Sequence, residues 1–236
     1  MVARKPAVPI DVEVPRFEAS LFRFLKELKA HNEREWFHER KARFDAEARN
    51  PMLSFIGAFG ERLRELSPHF IADPRPVGGS MFRIHRDTRF SKDKSPCKTH
   101  LGAHFPHRAC GEDGVHGPGF YLHLEPGASF GGGGLWHPDP GSLRKVREAI
   151  VARGRAWKAV KDKGVEIQGD ALVRVPQGFD PAHPFAEDLK FKDLYVGTGF
   201  TDKEVLAPDF LDRFCTACEE AAPLVAFVCK ALDLPW

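Results

Sequence analysis

The sequence predicts an α+β fold in a single domain, with a twisted antiparallel or mixed sheet flanked by N-terminal and C-terminal helices. Three observations lead there. Apolar residues recur at helical spacing between Leu21 and Leu66. The period shortens to two between Phe82 and Leu124. Helical spacing then returns between Phe210 and Leu232. Helices, then strands, then helices is the order of an α+β layer architecture. No internal repeat, low-complexity tract or interior linker divides the chain. Residues 1–15 read as a flexible arm rich in Pro and Val, and residues 16–236 as one domain.

In order along the chain, Leu21, Phe24, Leu25 and Leu28 form the stripe of a first helix. Asn32 can cap a second, with Glu35 three residues on completing a capping box, and Trp36, Phe37, Phe44 and Ala48 as its buried face. Pro51 suits the first turn of a third helix, with the stripe Phe55, Ile56, Phe59, Leu63 and Leu66. Ser67-Pro68 ends it. Three strands follow, each with one apolar and one polar face. Phe82 and Ile84 alternate with Arg83 and His85; Leu101, Ala103 and Phe105 with His100, Gly102 and His104; Phe120, Leu122 and Leu124 with Tyr121, His123 and Glu125. Residues 128–136, with four consecutive glycines, read as a fourth strand. Helices are expected from Gly141 to Val151 and from Gly154 into Lys163. Short strands are expected at Leu172–Val175 and Leu194–Gly197. In the C-terminal helical region Pro223 either starts a second helix or kinks one long helix.

Composition bounds the class. The chain has 236 residues, a 42% hydrophobic fraction and a net charge of +2. Twenty Phe against two Tyr point to a core built on Phe, each worth ~1.5–3 kcal/mol when buried. No apolar run approaches a membrane span, so no membrane partner is expected. Met1-Val-Ala-Arg-Lys-Pro carries charge without a following apolar run, which argues against a secretory signal and for the cytoplasm. Five cysteines, an odd number, do not suggest a disulfide framework. Cys215-Thr-Ala-Cys218 has CxxC spacing, but it falls within a helical pattern and lacks a second pair to complete a zinc site.

The candidate site is the segment from Met81 to His100. It holds Arg83, Arg86, Arg89, Lys92, Lys94 and Lys98 against Asp87 and Asp93, a local charge of +4 in a chain of +2. Clustered positive charge repels itself unless an anion or carboxylates neutralise it. Two readings stay open: these residues hold a phosphate-containing or other anionic ligand, or they form an ion-pair network that fixes a long loop. Arg offers a planar fork for phosphate or carboxylate, and Lys a point charge. Cys97, among these cations, would have a lowered thiol pKa.

His85, His100, His104 and His123 could project from polar strand faces. No HExxH or HxH-plus-carboxylate signature is present, so neither a metal nor a cofactor is expected. His123 or His100 is a candidate general acid or base, or a hydrogen-bond partner of an anionic ligand, and Asp87 with His123 would supply the acid/base chemistry. Asp87 or Glu125 could orient an imidazole. Tyr121 and Trp136 are candidate ligand contacts. The run Gly131–Gly134 lacks a phosphate-loop ending, so it marks a strand closely approached by a ligand or another element. Arg34 could ion-pair with Glu18 or Glu39, or reach the basic site.

The chain resembles the domain-of-unknown-function family 2461. The matching motifs are Asn32-Glu-Arg-Glu-Trp-Phe37; Arg83-Ile-His-Arg-Asp-Thr-Arg-Phe-Ser-Lys-Asp-Lys-Ser-Pro96 with Lys98-Thr-His100; Gly119-Phe-Tyr-Leu-His-Leu124; Gly134-Leu-Trp-His-Pro138; Arg174-Val-Pro-Gln-Gly-Phe-Asp180 with His183-Pro184; and Ala222-Pro-Leu-Val-Ala-Phe227. The resemblance runs from about residue 17 to the end. It implies no activity. The chain departs from the family pattern at His85, Cys97 and Gln177, where Tyr, Tyr and Lys are usual.

The sequence therefore points to a protein with a basic anion-binding site, for which one reading is an enzyme acting on a phosphate-containing or other anionic substrate. The alternative is a non-catalytic module that binds nucleic acid or an acidic partner, with the motif partly structural. Residues 31–37, 81–100, 119–125 and 174–184 are expected to share one cleft.

Overall fold

The computed structural model describes residues 15–89, 92–110 and 116–236; the N-terminal arm expected at 1–15 lies almost wholly outside them. The first apolar stripe becomes α1 (Ala19–Ala30), which buries Leu21, Phe24, Leu25 and Leu28. Then come α2 (Arg34–Glu39) and α3 (Lys41–Phe44). A wide π-helical turn at Asp45–Arg49 leads directly into α4 (Asn50–Leu66), with Pro51 in its first turn. Proline has no N–H to donate, so the wider turn carries the chain past it.

One expectation here is corrected. Asn32 does not cap α2: Glu33 holds the cap position and no side chain caps it. The Asn32 amide instead donates to the Cys97 carbonyl at 2.9 Å and accepts from the Cys97 N–H at 3.0 Å. A tertiary partner 65 residues away satisfies the amide more fully than the helix end would.

The sheet is an antiparallel meander of β1 (Leu101–Pro106), β2 (Pro118–Leu124), β3 (Ser129–Leu135) and β4 (Leu194–Phe200), in that spatial order. Between β3 and β4 lie α5 (Pro140–Ala152) and α6 (Gly154–Lys161). Asp139 caps α5 by accepting from Gly141 and Ser142 N–H. The chain closes with α7 (Asp202–Val205) and α8 (Phe210–Ala231), one continuous helix with Pro223 inside.

Alternation places Ala103, Phe105, Phe120 and Leu122 on the face that meets α4 and α8. Phe59 of α4, Phe105 of β1 and Phe214 of α8 meet with ring centroids 4.7–6.0 Å apart. Gly131 and Gly133 let α8 lie close: a Cβ at Gly131 would stand 2.6 Å from the Phe214 ring, and one at Gly133 2.6 Å from Phe120.

Several buried polar groups away from the sheet's open face are matched within the fold. Asp188 accepts from the Trp157 indole at 2.8 Å and from Lys161 at 2.9 Å. Arg147 donates to the Leu189 and Phe191 carbonyls, each at 2.8 Å. His107 bridges Ala109 N–H and the Pro235 carbonyl.

Two expected strands do not form. Residues 81–85 give only single bridges, Met81 to Ala103 and His85 to Cys97. Phe82 N–H reaches Gly102, but Arg86 N–H bonds Pro96 and Lys98 N–H bonds Ile84, which closes the basic segment on itself. Ile84 is buried, while Phe82 turns to the other side of the sheet. Residues 172–175 likewise form no strand, and Val173 is 92% exposed, so the alternation there marks no buried face. Among the described residues, no helix is long and apolar enough to cross a membrane.

Candidate functional site

The basic segment and the open sheet face build two separate cavities. The first lies between α2 and the basic segment. Arg34, Glu35, His38 and Lys41 come from the helical side, and Arg86, Thr88 and Lys94 from the other, around a cavity of about 970 Å³. The Asn32 clamp on Cys97 ties the two walls together. Much of the segment's charge is matched internally. Asp87 accepts two hydrogen bonds from the Arg89 guanidinium, at 3.0 and 2.7 Å, and lies 3.9 Å from Arg83. Those contacts, the Arg89 hydrogen bond first, hold its carboxyl down at about 2. Arg86 lies 3.2 Å from Asp93, and Lys94 donates to the Thr88 carbonyl at 2.8 Å. The Arg86 Nε is buried and has no hydrogen-bond partner among the described residues. Lys92 is exposed. Phe90 and Ser91 of the motif lie outside the described residues.

The second cavity, of about 380 Å³, lies on the sheet face away from α8. Its floor is glycine: Gly119 of β2, Gly132 and Gly134 of β3 and Gly197 of β4. Its walls are aromatic: Phe82, Tyr121, Phe130, Trp136 and Tyr195, with His104 and His123. The floor stays flat because a Cβ at Gly132 or Gly134 would meet the β4 carbonyls at 2.0–2.2 Å. Trp136 is 50% exposed and meets Tyr195 edge-on at 5.5 Å. Phe82 stacks on His104 at 6.2 Å, and Lys98 lies over Phe82 at 5.0 Å.

Beside this groove, β2 sets Tyr121, His123 and Glu125 at period two on one face. Tyr121 Oη lies 3.2 Å from His123 Nδ1, and His123 Nε2 lies 3.2 Å from a Glu125 oxygen. The His123 ring stacks on Phe130 at 4.7 Å and sits 4.2 Å from the His100 ring. Burial pushes His100 down to about 4, helped by His123 and Lys98. Burial also lowers His123, against the opposing pull of Glu125. It lowers His104 to about 4 and raises the Tyr121 hydroxyl to about 12. At neutral pH these imidazoles carry lone pairs and no charge, the state of a general base or a metal ligand.

The expected single cleft is thus resolved into two. Arg86, Lys94 and Arg34 line the first; Tyr121, His123 and Trp136 line the second. The groups touching His123 are Tyr121, Glu125, His100 and Phe130, whereas Asp87 is held by Arg89 and Arg83. Arg83, Arg89 and residues 174–184 line neither cavity. Lys98 joins the segments: it follows Cys97 of the first cavity and covers Phe82 of the second. Burial, with Arg83 and Arg86 nearby, lowers its pKa. Arg34 forms no ion pair among the described residues, and Glu39 pairs with Arg40 instead. Cys97 is buried with its thiol pushed up, the reverse of an activated thiol. Cys215 and Cys218 face the core of α8, with burial raising both thiols.

Of the groove's aromatic walls, Tyr121 and Trp136 were candidate contacts in the sequence, whereas Phe82, Phe130 and Tyr195 were missed. Phe130 and Tyr195 read as ordinary strand residues. The available signal was glycine at alternate positions across neighbouring strands, which leaves one sheet face without side chains.

A family model described as "Conserved hypothetical protein (DUF2461)" matches residues 20–227, and the chain belongs to that family. No curated protein and no solved structure matches it.

Proposed function

We propose that this protein binds an anionic small molecule, of the phosphate-bearing class, in the cavity between α2 and the basic segment. The observation that carries the reading is Arg86: among the described residues its buried Nε has no partner, while its other end is held 3.2 Å from Asp93. A buried donor left unpaired costs about 1–3 kcal/mol, and an anion oxygen in the cavity would satisfy it. Arg34, Lys41 and Lys94 line the same space against Glu33 and Glu35, so the lining carries an excess of positive charge. A cavity of about 970 Å³ accommodates a nucleotide-sized ligand. Near-neutral total charge argues against general nucleic-acid binding, which relies on an extended basic surface.

The test is a thermal-shift series with inorganic phosphate, nucleotides and short single- and double-stranded nucleic acid, on wild type and on Arg86→Ala and Arg89→Ala. The expected result is a rise in Tm with one anion class, lost in folded Arg86→Ala and kept in Arg89→Ala. A shift that survives Arg86→Ala would exclude the site. No shift with any anion, together with a strongly destabilised Arg86→Ala protein, would establish the competing reading, a structural ion-pair network. A response to nucleic acid alone that falls steeply with salt would replace the small ligand by a nucleic-acid backbone.

A further inference from the structure

A second constellation lies outside the basic cavity and does not depend on it. His100, just before β1, His123 of β2 and Glu125, just after β2, present ligand atoms that all fall within 4.8 Å of one another. The two imidazole rings are 4.2 Å apart. Among the described residues, neither ring nitrogen of His100 has a hydrogen-bond partner, although the residue is half-buried. One of these nitrogens faces another imidazole and a carboxylate.

We propose that His100, His123 and Glu125 bind a first-row transition-metal dication. The donor set argues for that class. Two imidazoles and a carboxylate suit zinc, iron or cobalt, whereas magnesium and calcium take oxygen ligands. Ligands on one such ion lie about 3.3 Å apart, given metal–ligand distances near 2.1 Å. Closing the trio onto an ion therefore needs side-chain rotations of roughly 1.5 Å and no movement of the strand. Tyr121 supplies the orienting contact that metal-bound histidines typically have. With Nε2 on the metal, Nδ1–H donates to Tyr121 Oη, which already lies 3.2 Å away. Phe130, stacked on His123 at 4.7 Å, holds the ring plane. Two cations face the trio. Lys29 lies 3.9 Å from Glu125 and is exposed enough to swing away; Lys98 is a partly buried neighbour whose charge acts on both histidines. His85 takes no part, since its Nδ1 contacts Cys97 Sγ. A metal held here would sit beside the glycine-floored groove that His123 also lines.

The experiment is a titration of chelator-treated full-length protein with Co²⁺, followed by visible d–d absorption, then displacement by Zn²⁺ followed by Tm. The expected result is one Co²⁺ per chain with an absorption free of thiolate charge transfer, and a Tm raised by Zn²⁺. His100→Ala and His123→Ala should abolish the signal. Tyr121→Phe should weaken binding about tenfold or more, as loss of an orienting contact does. Three results would each overturn the site: no Co²⁺ absorption in folded wild type, a signal unchanged in both histidine variants, or a near-UV thiolate band assigning the metal to cysteines such as Cys215 and Cys218. If the histidine variants fail to fold, the near-isosteric Glu125→Gln decides, and unchanged affinity there would sink the proposal.

Discussion

On the core face of β3, Gly131 and Gly133 are covered by α8, and the rings of Phe214 and Phe120 occupy the space a side chain would take. On the opposite face of the same strand, Gly132 and Gly134 have no helix above them among the described residues and form the floor of a groove. The residue type is the same and the strand is the same. What differs is the element that lies over it. On the first face, bareness brings a helix close enough for dense packing. On the second, it leaves a flat cleft whose walls are set by Phe82, Phe130, Trp136 and Tyr195.

The sharpest way to break this comparison is to add a side chain on each face. Gly131→Val drives atoms into Phe214, which is fully buried among Phe55, Phe59 and Phe105. A loss of about 3 kcal/mol is expected in urea denaturation. An unchanged midpoint would show that α8 is free to move off the sheet.

The next effect concerns His104, on the groove side. Its folded pKa is depressed from 6.5 to about 4 by burial, so the unfolded chain binds the proton more readily. That contribution to stability is present above the unfolded pKa and is lost as pH falls from about 6.5 towards 4. It is worth on the order of 3 kcal/mol at most. The stability of His104→Asn should therefore depend less steeply on pH across that window than wild type. An identical slope would place the titration elsewhere.

A smaller effect is expected at Gly102. A Cβ there meets only side-chain atoms, the Tyr121 hydroxyl at 2.7 Å and Phe82 at 3.1 Å, and both have the groove to move into. Gly102→Ala should cost about 1 kcal/mol or less, well below Gly131→Val, while moving Tyr121 away from His123. Equal losses at the two positions would erase the distinction between the faces. Asp87→Asn should do least. Asp87 is solvent-exposed and its partners are Arg89 and Arg83, so no change in Tm is expected. A large drop would show that the basic segment depends on its own ion pairs.

How much of this was legible in the sequence depended on distance along the chain. The helix stripes at Leu21–Leu28 and Phe55–Leu66 are local patterns, and they appear where the spacing puts them. The alternation at 101–105 and 120–124 likewise became β1 and β2. The same alternation at Phe82–Ile84 failed, because a two-residue pattern carries no information about whether a partner strand is available. Asn32 carried the mark of a cap and found a partner at Cys97 instead. Nothing near either residue signals that contact.

By itself the sequence determined the α+β class, the order of helical and strand regions, the concentration of charge at 81–100 and the shared face of Tyr121, His123 and Glu125. Each of these follows from the fixed repeats of helix and strand, or from composition. Only the tertiary structure decided that Arg86 and Lys94 line a cavity against α2 rather than meeting His123, that Pro223 is carried inside one helix, and that His100 meets His123 and Glu125. Those outcomes depend on strand register and on how long segments close across the sheet. They are set by the sum of many packing contacts, and no short stretch of sequence contains that sum.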